Sequence, residues 1–362
     1  MKLDQQTLVY EKIKAGCTRF VGKTILHTAP HHDDILLGYH TYAMQLLSGN
    51  TNHILYATSG YNGVRDEYVA KMIRGLDESI IATAMNMSYE QLLHRFAQAY
   101  TAYASKEMLL LTQYMIIQFV ADIFGCRTNE AIADRLNLLT VYFSSKSQGL
   151  HEIELVQELK GRIRESEADR KWMISKGGIE NINHFRALFY QASEQTFQQA
   201  LQADVDRLSM YLEAVKPDII TIALDPQGIG PKNHFTTLQL ITRALQQSQL
   251  KNVEILGYRN IWSNFELQEA SLIIPVTQKN IDEMKSIFIN CFATQKSTIF
   301  MGTDIDGNFA DQAEQLQKIQ LQQVQHALPT QDYHDVIRKE HVGAIFMKKL
   351  KVDELSDIVN SW

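Results

Sequence analysis

No proline lies between His31 and Lys216; the six prolines of this chain stand at 30, 217, 226, 231, 275 and 329. Proline disrupts a helix interior, so a proline-free run of this length permits long helices, and the prolines that do occur mark loops. The apolar pattern around that run alternates between strand and helix. KTILHT, Lys23 to Thr28, is short, apolar and β-branched, and it ends at Ala29-Pro30 before a segment from Gly38 to Leu47 with helical spacing. HILYAT, His53 to Thr58, is a second strand and runs into the glycine-bearing turn Ser59-Gly60-Tyr61-Asn62-Gly63.

From Arg65 to about Lys176 the periodicity is helical, and RESEADRKWMISKG, starting at Arg164, reads as a helix ended by Gly177-Gly178. Strand signals return at PDIITIAL, Pro217 to Leu224, behind a helix over Glu194 to Val215, and at VEILGY, Val253 to Tyr258, behind a helix from about His234 to Gln247. The expected fold is α/β: one Rossmann-like domain over residues 1–362 with a doubly wound, mostly parallel sheet built from residues 20–60 and 180–275. A helical insertion is expected at 64–150 and a helical C-terminal extension at 311–362.

Composition narrows the class. Lys plus Arg number 35 against 41 Asp plus Glu, a formal charge of −6 with no long basic run, so nucleic acid is not the expected partner. Cys17, Cys126 and Cys291 are odd in number, far apart and in no CxxC pair, which argues against a disulfide framework and fits a reducing cytoplasm. The N-terminus lacks a basic region followed by an apolar core, and the uncharged stretch from Met108 to Ala121 is short for a bilayer and carries Gln113 and Gln118, so neither export nor a membrane partner is expected. The apolar segment from Met108 is buried either within the monomer or against the second subunit of a homo-oligomer.

In open α/β sheets functional groups collect beyond the carboxyl ends of the strands. After the first strand, Pro30-His31-His32-Asp33-Asp34 packs two imidazoles and two carboxylates into four positions, a density that calls for a cation or partners. His31 and Asp34 can converge on one ion, leaving Asp33 as a base; alternatively Asp33 or Asp34 caps the following helix and the histidines are surface residues. After the third strand the loop Asp225-Pro226-Gln227-Gly228-Ile229-Gly230-Pro231-Lys232-Asn233 ends in His234, at the same sheet edge, which suits a third ligand or an ordinary N-terminal helix residue.

These landmarks resemble the LmbE and PIG-L zinc de-N-acetylases, whose signature is a strand followed by (A/P)HPDD and a much later histidine loop. The matching stretches are APHHDDILLG, TSGYNGV after the second strand, IRESEA at Ile163 to Ala168 and LDPQGIGPKNH. YRNIWSNFELQEASLIIPV and TQKSTIFMGTD further resemble the LmbE-like domain found joined to glucosamine-6-phosphate deaminase domains. The resemblance spans about residues 20–310 and implies one zinc, or another divalent metal, on His31, Asp34 and His234, with Asp33 as general base. It implies hydrolysis of the N-acetyl amide of an N-acetylglucosamine-like sugar, phosphorylated or conjugated, to acetate and a free amine.

His32 stands at the usual proline position, Ile35 at an acidic one, and Pro231 where the family often has a second histidine that stabilises the tetrahedral intermediate. That departure keeps open a non-catalytic member that binds a sugar, and the same centre serves a hydrolase of another acyl amide such as a thiol conjugate. Substrate contacts are expected from Ser59, Gly60, Asn62 and Arg65, or these form a plain turn. Arg164 is a further candidate or pairs with Glu167 at i, i+3, while Lys232 in the third loop and Arg259 at a fourth strand end are candidates to replace the missing histidine. Trp262, Phe265 and Tyr61 suit core, rim or a sugar-stacking platform alike. The first loop has no GxGxxG, which argues against a dinucleotide cofactor.

Overall fold

A computed structural model of the chain describes residues 2–145, 153–250, 252–296, 307–328 and 337–361. In chain order, α1 (Lys2–Cys17) leads to β1 (Thr24–Ala29), α2 (Asp34–Leu47) and β2 (Thr51–Tyr56). Six helices follow: α3 (Asp66–Ile73), α4 (Glu78–Met85), α5 (Tyr89–Thr101), α6 (Ser105–Phe124), α7 (Asn129–Ser145) and α8 (Glu154–Ile174). The chain then returns to the sheet through β3 (Ile182–His184), α9 (Phe197–Val215), β4 (Ile219–Ala223), α10 (Lys232–Gln247) and β5 (Glu254–Tyr258). It closes with β6 (Leu272–Thr277), α11 (Gln278–Cys291), α12 (Phe309–Ala327), β7 (His341–Leu350) and α13 (Val352–Ser361).

Two compact units result: residues 1–58, 181–288 and 298–362 form the sheet unit, and residues 59–180 with 289–297 form the helical unit. In the sheet unit the strand order is β3-β2-β1-β4-β5-β7-β6. The first five strands are parallel, and β7 runs antiparallel between β5 and β6. The expected doubly wound, mostly parallel α/β architecture is thus present. β1 and β4 are buried over nearly their whole length and read as continuous apolar runs because both faces of a parallel sheet are covered. Their inward side chains, with Leu55, Ile255 and Leu208, belong to one apolar core.

The direction of winding reverses between β1 and β4. From β1 the chain crosses to β2 on one side, while β4 lies on the other in register Ile25↔Ile219. Parallel pairing puts the carboxyl ends of both strands at the same edge, so the loops after Ala29 and Ala223 become neighbours although some 200 residues separate them. Behind that edge a buried polar relay joins the two strands: Tyr39 Oη lies 2.7 Å from Thr221 Oγ1 and 2.9 Å from His27 Nδ1, and Thr28 Oγ1 donates to the Thr221 carbonyl. Tyr39 leaves helical geometry at φ −155° and kinks α2, just after Gly38, where a Cβ would come within 2.7 Å of the Tyr258 ring. His27 and His40 are both buried.

The C-terminal region, expected to be helical, also contributes β7. HVGAIFMKKL has a continuous apolar centre, and insertion between β5 and β6 lets both its edges find ladder partners. Parts of the expected 311–362 extension, the end of the 64–150 insertion and most of TQKSTIFMGTD lie outside the described residues.

In the helical unit, α5 opens with a capping box between Ser88 and Gln91. Helix α6 is 20 residues long because Lys106, Glu107 and Asp122 sit in its end turns and the apolar stretch continues past Ala121. Among the described residues it is the one helix long and apolar enough to cross a membrane by length and composition; 56% of its apolar window is buried. Helix α8 is unusual for its charge: Lys160, Arg164, Glu167, Asp169 and Arg170 are all buried. Buried charge persists only with partners. Lys160 Nζ lies 2.6 Å from Asp66, and Tyr89 Oη donates to Asp169 at 2.7 Å.

Gly16 in α1 tests how tightly the helix is seated, since a Cβ there would fall 2.2 Å from the Ile273 carbonyl oxygen of β6. Backbone cannot rotate away as a side chain can, so Gly16→Ala should cost about 2–3 kcal/mol, read as a lowered urea midpoint at unchanged slope. An unchanged midpoint would mean that α1 does not rest on β6.

Candidate metal centre

The loop after β1 turns sharply into α2. The His31 backbone N–H donates to Asp34 Oδ2 at 2.6 Å, which fixes the carboxylate at the helix start. On the neighbouring strand end, Pro231 begins α10 and His234 falls in its first turn, so that its ring faces the β1 loop. His31 Nδ1 and His234 Nε2 stand 3.0 Å apart, and Asp34 Oδ2 is 3.7 Å from each. One ligand atom from each of the three residues lies within 4.8 Å of the others. Asp34 and His234 are buried, and His31 keeps 17% of its side chain exposed, which leaves one open side.

Two residues outside the expected set hold this arrangement. Asp225, the first residue beyond Leu224, accepts from His234 Nδ1 at 2.7 Å. That bond places the proton on Nδ1 and turns the Nε2 lone pair toward His31 and Asp34. Asn260, after β5, donates through Nδ2 to Asp34 Oδ1 at 2.6 Å and through its backbone N–H to Asp225 Oδ1 at 3.1 Å. The remaining oxygen of Asp34 thus faces the imidazoles. An aspartate or asparagine two residues beyond a strand end is the available signal for both, but strand-end position alone does not name a partner.

The electrostatics favour a cation. Burial pushes the Asp34 carboxyl up to about 7; His234 and the His31 N–H oppose this, while Asp33 and Asp225 add to it. Burial by itself would lower the His234 imidazole, yet Asp34, Asp225 and Asp33 together raise it. Three carboxylates and two imidazoles are thus crowded where water is scarce, and two imidazole nitrogens and one carboxylate oxygen converge on one point. That donor set, with one direction open, suits a divalent ion such as zinc.

Asp33 occupies the N-cap position of α2 but makes no side-chain capping bond, so the capping alternative fails for it. It is 5% exposed, and its charge acts on both Asp34 and His234. His32 is no surface residue either: its ring is buried, stacks on Tyr56 at 4.8 Å and sits 3.2 Å from His184 Nδ1.

The expected substrate contacts fall in both units. Lys232 is exposed at the start of α10. Arg259 is bound to its own loop, contacting the Asn264 carbonyl and Glu269 and covering the Phe265 ring at 4.5 Å. Phe265 is buried, and Trp262 is partly buried against Phe309, with a Cβ on Gly230 falling 2.6 Å from its ring. Ser59, Gly60, Asn62, Arg65 and Arg164 belong to the helical unit. Gly60 adopts φ +63° before the turn Tyr61–Gly63, and Asn62 and Arg65 are exposed. Arg164 is buried and realises the pairing alternative, donating to Glu167 at 2.7 Å and Thr294 at 3.2 Å.

No family model matches the chain. A curated protein of Bacteroides thetaiotaomicron, described as a glucosamine-6-phosphate deaminase-like protein, is 18% identical over 243 residues, 63% of this chain. The match spans 36% of that relative's length. Among solved structures, GalB, the 4-carboxy-2-hydroxymuconate hydratase from Pseudomonas putida KT2440, superposes with a TM-score of 0.40 at 12% identity, covering 91% of this chain and 96% of that one. The zinc-inhibited form of teicoplanin deacetylase Orf2 gives a TM-score of 0.38 at 10% identity, covering 91% and 98%. The curated relative is consistent with the resemblance carried by the sequence motifs.

Asp225 provides the test of the centre. Asp225→Ala should weaken zinc binding by about 10–100-fold while the protein stays folded, measured by competition with a chromophoric chelator. Unchanged affinity would remove Asp225 from any role in orienting His234.

Proposed function

We propose that the chain is a metal-dependent amidohydrolase of the LmbE/PIG-L type, which removes the acetyl group from an N-acetylglucosamine-like sugar and acts in the cytoplasm. The observation that carries this reading is the convergence of His31, Asp34 and His234, with the buried carboxylate of Asp33 beside them and outside the ligand set. His31, Asp34 and His234 would hold the ion. A zinc ion at such a site supplies Lewis acidity and lowers the pKa of water.

The residues divide the remaining work. Asp33 accepts a proton from the attacking water and delivers it to the leaving nitrogen, so that the amide and one water become acetate and a free amine. Asp225 keeps the His234 ring in one tautomer, and Asn260 keeps the second oxygen of Asp34 occupied. Three free cysteines, Cys17, Cys126 and Cys291, agree with a reducing compartment. A second reading, a non-catalytic protein that holds a sugar in the same place, is favoured by Pro231, which offers no side-chain donor to a developing oxyanion.

Acetate release from N-acetylated amino sugars, free and 6-phosphorylated, separates the two readings. Zinc-loaded protein should turn over at least one of them. Asp33→Asn should keep the metal and lose about 10²–10⁴-fold in turnover, whereas Asp34→Ala should lose the metal. Full turnover in Asp33→Asn would exclude it as the base, and one bound zinc without acetate from any sugar would favour the binding protein.

A further inference from the structure

The helical unit contains a second concavity, unrelated to the residues of the metal centre. It has a volume of about 440 Å³ and is lined by side chains of α3, α5, α6 and α8 together with residues 289–296. Its lining is unusual in sign. Arg170, Lys71 and Lys296 all border it, and no Asp or Glu does.

Arg170 is 1% exposed, so its charge has been taken from water. Two of its nitrogens are committed: Nε donates to the Ser166 carbonyl at 3.0 Å and Nη1 to Thr112 Oγ1 at 2.8 Å. One face of the guanidinium covers the Phe96 ring at 4.9 Å. Nη2 is buried and has no hydrogen-bond partner, and the same holds for the hydroxyl of Tyr68, another residue of the lining. Two buried donors in one cavity wall leave a desolvation cost that a bound acceptor would remove.

Glu167 acts on both Tyr68 and Lys296, but its oxygens are already engaged. Glu167 accepts from Arg164 at 2.7 Å and from Thr294 through both its hydroxyl and its backbone N–H. Burial holds the Lys296 ammonium below its ordinary range; Glu167 opposes that, and Arg170 and Lys71 add to it, so both other cations act on Lys296. Like charges gathered around a partly enclosed space are stabilised by an anion between them. The rest of the wall, including Phe96, Met72 and Met108, is apolar, and the volume lies within the range of small-molecule sites.

We propose that this cavity binds a small organic anion, its phosphate or carboxylate seated against Arg170, Lys71, Lys296 and Tyr68 and its apolar body against Phe96 and Met108. The site lies in the helical unit and stands independently of the hydrolase reading.

Isothermal titration of the full chain with phenyl phosphate, benzoate and benzyl alcohol tests it. Phenyl phosphate or benzoate should bind saturably, the tighter of the two identifying the head group, and the neutral alcohol should bind more weakly by about tenfold or more. Lys71→Gln with Lys296→Gln changes two exposed residues and should leave the fold intact while weakening the anion by about tenfold or more. Asp34→Ala should leave the affinity unchanged. Absence of saturable binding by both anions, equal affinity for the alcohol, unchanged affinity in the double lysine variant, or loss in Asp34→Ala would each overturn the proposal.

Discussion

Removing charge from water is the expense around which the sheet unit is organised. Asp33, Asp34 and Asp225 are all at most 5% exposed, and the imidazoles of His31 and His234 are brought to them. Such a cluster persists when its lone pairs are aimed at one point and its outer atoms are occupied. Asp225 and Asn260 do the occupying, one through His234 Nδ1 and the other through Asp34 Oδ1. The position of β4 next to β1 is what makes this possible, because no local segment could bring residue 31 and residue 234 within hydrogen-bonding range.

The polar groups behind the centre serve the same end. Tyr39, Thr221, His27 and Thr28 form a buried relay across the two central strands, and Tyr258 donates to the Thr28 carbonyl at 3.0 Å. Side chains that are both buried and hydrogen-bonded have few alternative rotamers, so the strand end and the first turns of α2 are held without help from the loop itself. Gly38 lets α2 approach the Tyr258 ring, and the kink at Tyr39 turns the remainder of the helix aside.

How much of this the chain discloses in one dimension depends on range. Strands β1, β2, β4 and β5 are visible as short β-branched runs because their burial on both faces leaves a local mark, and His31, Asp34 and His234 are visible because chemistry concentrates at strand ends. The role of Asp225 is not, since an aspartate before a proline in a glycine-rich loop reads equally well as turn chemistry. Asn260 depends on a contact 226 positions away. β7 falls in a stretch where the helical expectation prevailed, and its assignment requires knowing that β5 and β6 leave a place between them. The buried charges of α8 are the hardest case: a helix so rich in Arg, Lys, Glu and Asp looks like a solvated one until Thr112, Thr294 and Asp66 are seen to meet it.

β2 and β3 are adjacent parallel strands, yet the connection between them is the entire segment from Ala57 to Asn181. A crossover needs only a dozen or so residues, and closure entropy rises logarithmically, so a connection about ten times longer costs only ~2 kcal/mol more. Equilibrium therefore tolerates it easily, but kinetics does not ignore it. β3 has three residues and a single strand neighbour, and its ladder is the sheet's most distant pairing between sequence-consecutive strands. Strand β3, and with it the His184 ring beside His32, should join the sheet late during folding, after the β1–β2 pairing, whose crossover through α2 is far shorter.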